Sequence, residues 1–192
     1  MEPGSRADGA PPRAAPRLRR AVPADAAALA AFAVRLFRET YGPAADPALS
    51  GGSRPEDVEA YVAPHFGPAL QAAELADPAL TTLVAETDDG AFAAYAQLRA
   101  PSPHPAAPSG AAEVARFYVD WPWQGRGVAG ALMAALVDAA RAAGATALWL
   151  AVLQRNARAV GFYRREGFRV AGTGIFRMGA EVQDDWIMVR DC

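Results

Sequence analysis

Val114-Ala115-Arg116-Phe117-Tyr118-Val119 followed by Gln124-Gly125-Arg126-Gly127-Val128-Ala129-Gly130 is the stretch whose reading decides the fold. The first six residues are β-branched, aromatic and small, as strands prefer, and the glycine-rich segment opens an amphipathic helix pattern. A strand that passes through glycines into a helix makes a cradle for phosphate. Glycines let the backbone approach a ligand closely, and the first helical turn adds unpaired N–H donors with partial positive charge. A ligand carrying a pyrophosphate is the expected guest.

Working outward, Val128, Leu132, Leu136 and Ala140 recur every four residues, flanked by Met133 and Val137, so a helix is expected from Gly125 to Ala143 with Gly144 as its stop. Ala147 to Val152 is an uninterrupted apolar run, as a buried parallel strand requires, and residues 112 to 152 read as one β-α-β unit. A short helix from Asn156 to Glu166 ends at Gly167, and strands are expected at Phe168–Val170, Gly174–Met178 and Asp185–Val189. Upstream, Leu18 to Val22 reads as a strand. Pro23-Ala24-Asp25 then opens a helix carrying Leu29, Phe32, Leu36 and Phe37. Pro43 to Pro55 reads as a loop, and Pro55-Glu56-Asp57 begins an interrupted helical region with a helix to about His65. Leu80–Glu86 and Ala91–Arg99 form a hairpin through Asp89-Gly90. Pro101, Pro103, Pro105 and Pro108 keep residues 100 to 110 out of any ladder, as a substrate lid or a surface loop, so the next strand starts near Ala112.

The 192 residues, 52% hydrophobic and 21% charged, suit one domain over residues 17–192 behind a flexible tail, 1–16, rich in Pro, Gly, Ala and Arg. A formal charge of −2 does not suit nucleic acid or an anionic membrane. The one cysteine, Cys192, allows no intrachain disulfide, and no apolar run approaches the ~18 residues of a membrane span, so a cytoplasmic location is expected. His65 and His104 have no partners at metal-ligand spacing, so no metal is expected. Trp121, Trp123, Trp149 and Trp186 read as packing residues, and no serine occupies a nucleophile elbow.

Gly125-x-Gly127-x-x-Gly130 also satisfies the dinucleotide-binding pattern G-x-G-x-x-G. Asp120 to Gln124 nevertheless separate strand from glycines, and the position about 20 residues on, where an acidic ribose partner belongs, offers only Leu148 to Val152. A nicotinamide-dependent oxidoreductase therefore ranks behind another reading.

Taken in order, Val-Asp-x-x-x-Gln-Gly-Arg-Gly-x-Ala, a helix, an apolar strand, Asn156-x-x-Ala159 and Phe162-Tyr163-x-x-x-Gly167-Phe168 resemble the GNAT superfamily of acyl-CoA-dependent N-acetyltransferases. Gln124, Gly127 and Ala129 match its [RQ]-x-x-G-x-[GA] signature, and the similarity is strongest over residues 111 to 171. The resemblance implies an α/β fold with a mixed, mostly antiparallel sheet, a central splayed parallel strand pair and flanking helices. It implies acetyl-CoA as donor, with the pyrophosphate on backbone amides of Gly125, Arg126, Gly127, Val128, Ala129 and Gly130, and Arg126 adding charge. Gln124 belongs to the same cofactor-binding set. The pantetheine arm would run along Phe117, Tyr118 and Val119, with the Val119 N–H facing the thioester carbonyl. Asn156 and Tyr163, seven positions apart on one helical face, would lie near the pantetheine and the CoA sulfur, with Tyr163 as the general acid. The acceptor would be a primary amine of a small molecule or protein, and a homodimer fits the exposed sheet edges. No residue stands out as the base that deprotonates the amine; Glu86 and Glu113, at strand ends, are candidates for holding a relay water, and Asp120 for satisfying turn amides. A CoA-binding sensor or scaffold without turnover remains an alternative.

Overall fold

The protein, seen in a computed structural model, is described at residues 14–43, 45 and 53–192. Residues 1–13 of the expected tail (1–16) and most of the expected loop at 43–55 lie outside the described residues, and residues 14–16 belong to no helix or strand. The elements, in chain order, are β1 (Arg17–Arg20), α1 (Ala26–Tyr41), α2 (Pro55–Phe66), α3 (Pro68–Ala76), β2 (Leu80–Glu86), β3 (Phe92–Arg99), β4 (Ala111–Val119), α4 (Val128–Ala142), β5 (Ala147–Leu153), α5 (Ala157–Arg165), β6 (Arg169–Met178) and β7 (Glu181–Asp191). They form one seven-stranded sheet in the order β1-β2-β3-β4-β5-β7-β6, with β4 and β5 parallel and every other neighbouring pair antiparallel.

Both sheet faces are covered. On one, the apolar stripe of α4 (Leu132, Met133, Leu136, Val137, Ala140) and Val160 and Tyr163 of α5 pack on Ala94, Ala96, Leu148, Leu150 and Met188. On the other, Leu29, Phe32, Leu36 and Phe37 of α1 and Val58, Val62 and Phe66 of α2 cover Val84, Tyr95 and Met178. A sheet buried on both sides explains why β3 shows no polar alternation, with every residue but its last buried.

Four differences from the sequence reading have physical causes. The helix expected from Gly125 starts at Val128, because Gly125 and Gly127 have φ of +74° and +82°, outside any right-handed helix. The two strands expected at 168–170 and 174–178 are one strand, β6, which bends at a register shift between Val170 and Gly172 instead of breaking. Its Gly174 is not a turn residue but pairs with Asp185 within the strand, where a Cβ would stand 3.0 Å from Ile187 Cδ1. The strand expected at 185–189 extends over Glu181–Asp191, because it pairs on both sides. The interrupted helical region resolves into α2 and α3, with Gly67 extended between them and Pro68 in the first turn of the second.

The central strand is braced by an ion pair. Arg116 of β4 is paired bidentately with Glu74 of α3 (Nη2 to Oε1 3.0 Å), donates to the His65 carbonyl and lies over the Phe66 ring at 5.0 Å. Both side chains are largely buried, at 14% and 12% exposed, and Gln97 donates to the same carboxylate at 3.1 Å. Arg116→Ala strands the Glu74 carboxylate in a low-dielectric site, and we expect unfolding in urea to show a loss of about 3 kcal/mol. A loss below about 1 kcal/mol would mean that water reaches Glu74 freely.

Candidate active site

The parallel pair at the middle of the sheet opens after three residues. Ala111, Ala112 and Glu113 pair with Ala147, Leu148 and Trp149, and beyond Glu113 no β5 partner is recorded for β4. A register shift against β3 places Ala115 as an extra residue in β4, since Gln97 pairs with Arg116 but Leu98 with Val114. Such a bulge turns a strand away from its neighbour. Residues 115 to 119 are consequently half-buried on both faces.

The exposed edge has a definite polarity. Asp120 donates its N–H to the Ala93 carbonyl of β3 at 2.9 Å, so alternation along β4 turns the backbone groups of Tyr118 toward β3 and those of Val119 and Phe117 toward the gap. Gln124 Nε2 donates to the Val119 carbonyl at 2.8 Å. That bond ties the glycine loop to the strand and leaves the Val119 N–H as a donor facing the gap.

At the end of this gap stands the glycine turn. The first intrahelical bond of α4 runs from the Ala131 N–H to the Gly127 carbonyl, 3.1 Å. Among the described residues, no backbone acceptor takes the N–H of residues 125 to 130. A Cβ built on Gly125 or Gly127 meets nothing within 4 Å, so the turn is open around them, while one on Gly130 would face Glu166 Oε1 at 3.7 Å. A row of convergent donors at a helix start is a site for an anion. Arg126 is exposed beside it, and Arg158 lies over the exposed Trp121 ring at 5.2 Å.

Helix α5 closes the gap on the α4 face. Asn156 is its N-cap, with Oδ1 accepting from the Ala159 N–H at 3.0 Å, so its amide NH2 remains as a donor. Tyr163 is buried against Phe117 (6.2 Å, edge-on), Phe162 and Phe168, and its hydroxyl has no hydrogen-bond partner among the described residues. Burial, and then the nearby Tyr118, push its pKa well above the ordinary phenol value, so it stays a proton donor at neutral pH. Tyr118 stacks on Tyr95 at 5.4 Å, and its own phenol is likewise pushed up by burial. Phe117, Val119, Gln124 and Tyr163 thus meet at the gap, with the 125–130 amides following Gln124, while Asn156 caps the helix that carries Tyr163.

The two candidate relay carboxylates are placed elsewhere. Glu86 at the end of β2 is held by Arg19 (2.8 Å) and Arg17 (2.9 Å), which lower its pKa, Arg19 the more strongly. Glu113 lies where β4 and β5 are still paired, and accepts from Ser102 Oγ at 3.0 Å with Arg99 at 3.8 Å. Asp120 forms a two-pronged pair with Arg35 of α1 (2.8 and 3.1 Å) instead of satisfying turn amides with its side chain. His65 stacks on Tyr61 and His104 on Trp149, and no group of three metal-ligating side chains occurs among the described residues. No helix among those residues is long and apolar enough to cross a membrane.

A residue that the sequence reading passed over is Asp185 of β7. It is 9% exposed, and burial, followed by the adjacent Asp184, pushes its pKa up to about 6. The signal was present: Gln183, Asp185, Ile187 and Val189 alternate onto one face, and the last two are apolar.

These features can be set beside known proteins. Residues 48–168 match the model of the Acetyltransferase (GNAT) family. A protein of Mycobacterium tuberculosis described as an uncharacterized N-acetyltransferase is 35% identical over 167 residues, covering 87% of this chain and 97% of its own. Among solved structures, the PaiA N-acetyltransferase of Thermoplasma acidophilum in complex with coenzyme A superposes with a TM-score of 0.71 at 18% identity, over 92% of this chain and 98% of that one. Nourseothricin acetyltransferase is 30% identical, with a TM-score of 0.53, over 60% of this chain and 67% of its own. A splayed parallel pair ending at a glycine turn, the family match and relatives of this coverage lead to one conclusion: the chain belongs to the GNAT family of N-acetyltransferases.

Proposed function

We propose that this protein transfers an acetyl group from acetyl-CoA directly to a primary amine. The observation that carries the reading is the gap beyond Glu113, which offers an unpaired strand edge along its length and unpaired amides at its end. A pantetheine arm is a chain of amides that can complete such an edge, and a diphosphate is the anion that a row of N–H groups accepts. The dinucleotide alternative lacks both an acidic ribose partner and a use for the gap.

The chemistry follows from the positions. The Val119 N–H faces the gap and polarises a thioester carbonyl laid along β4. The neutral amine attacks that carbon and the C–S bond breaks; the nitrogen sheds its extra proton to solvent water, while the departing thiolate is stabilised by the Tyr163 hydroxyl or takes its proton, the tyrosinate then being reprotonated from water. A sulfur of pKa about 8.5 needs only such a neutral donor beside it. No acyl-enzyme is required, and holding the two substrates in line supplies the main advantage.

The test is to mix the protein with acetyl-CoA and a panel of amines, following thiol release, and to record thermal unfolding with CoA and with NAD. CoA at 100 times its Kd should stabilise the fold by about 2.7 kcal/mol and NAD should not. Absence of CoA stabilisation would end the proposal, and CoA binding without thiol release against every amine would favour a sensor.

A further inference from the structure

We infer that Asp185 and the aromatic side chains around it form the acceptor subsite, built for a primary ammonium carried on an apolar body. This rests on the proposed acetyl transfer and adds the substrate class. Asp185 lies on β7 opposite Leu153 at the C-terminal end of β5, one strand beyond the gap, and opposite Gly174 on β6, which has no side chain to cover it.

The neighbourhood is aromatic. Phe176 stands two residues from Gly174, the β6 partner of Asp185, and therefore on the same sheet face as the carboxylate. Phe176 of β6 lies 6.0 Å from the Tyr41 ring and 5.2 Å from the Tyr61 ring. Tyr118 and Tyr163 are the residues bordering the gap from β4 and α5. The subsite thus adjoins the place where the thioester would lie.

What points to a ligand is the carboxylate itself. Asp185 is more than nine-tenths buried, yet among the described residues no arginine or histidine pairs with it and nothing donates a hydrogen bond to its side chain. Gln154 Nε2 reaches its backbone carbonyl at 3.2 Å, not its carboxylate. A buried carboxylate without a partner carries a desolvation cost that an incoming cation would offset. Aromatic walls add attraction for the same cation and cover its apolar body.

The test uses the protein loaded with CoA, which cannot acetylate, so that binding is read without turnover. Calorimetric titration at pH 7.5 compares 2-phenylethylamine, a cation there, with neutral 2-phenylethanol. The amine should bind at least about tenfold tighter. Asp185→Asn should remove that preference and leave the alcohol unchanged, whereas Asp184→Asn, on the exposed side of the strand, should keep it. Equal binding of amine and alcohol, no amine binding, or a preference that survives Asp185→Asn would overturn the inference. If Asp185→Asn fails to fold, the amine-to-alcohol ratio on the unaltered protein still decides. Loss of CoA binding itself would instead count against the acetyltransferase reading.

Discussion

Gly127→Val should weaken CoA binding at least about 100-fold, read by calorimetry or by the CoA-induced rise in Tm, while the chain still folds. Two effects act together. A residue with a Cβ at φ +82° bears about 1–2 kcal/mol of backbone strain, and its side chain adds bulk to the open turn whose amides would hold the diphosphate. Strain alone can be subtracted. Gly144, at the far end of α4, has φ +79° and the same open surroundings, so Gly144→Val carries a like strain without touching the proposed phosphate site. CoA affinity should fall only for Gly127→Val. Equal affinity in the two variants would show that the glycine turn does not hold the diphosphate.

Tyr163→Phe is the second large effect. Turnover should drop by about 100-fold, the low end of what a positioned acid contributes, with KM for acetyl-CoA within about twofold. The fold should not suffer, because the hydroxyl has no partner among the described residues and the ring contacts with Phe117, Phe162 and Phe168 remain. The measurement is steady-state kinetics with the best amine from the panel, beside a thermal melt. Unchanged turnover would assign protonation of the thiolate to water. A parallel drop in Tm would mean that the hydroxyl serves the fold instead.

The resemblance and the structure agree on the strand, the glycine turn and the two helices that follow for a physical reason. The elements involved are local: a strand, a glycine turn and helices whose apolar stripes repeat at 3.6 residues, each written within about twenty positions. Asn156 and Tyr163 share a face because they are two turns apart on α5, whatever else surrounds them. The hairpin at Gly90 is of the same kind, since its φ of +82° is what Asp-Gly supplies.

Asp185 shows where this ends. Within the sequence, Gln183-Asp184 is a polar pair before a short strand expected to start at Asp185, and a strand's first residue is ordinarily solvated. Pairing with β5 on one side and β6 on the other makes it part of an eleven-residue strand, and that pairing turns one of two adjacent carboxylates inward and the other to solvent. Glu86 and Glu113 show the converse: both lie at strand ends, but only the neighbours brought by β1 and by the 100–110 loop commit their carboxylates to arginine and serine.

By itself the sequence determined the β-α-β unit, the glycine turn with its anion-ready amides, and the spacing of Asn156 and Tyr163, because near neighbours and helical or strand periodicity suffice for these. Only the tertiary structure decided that β4 leaves β5 after Glu113, that β6 is one bent strand, and that Asp185 on β7 is buried while Glu86 and Glu113 are paired at strand ends. Those outcomes depend on pairing between residues far apart in the chain, where burial and register, not local propensity, set the energy.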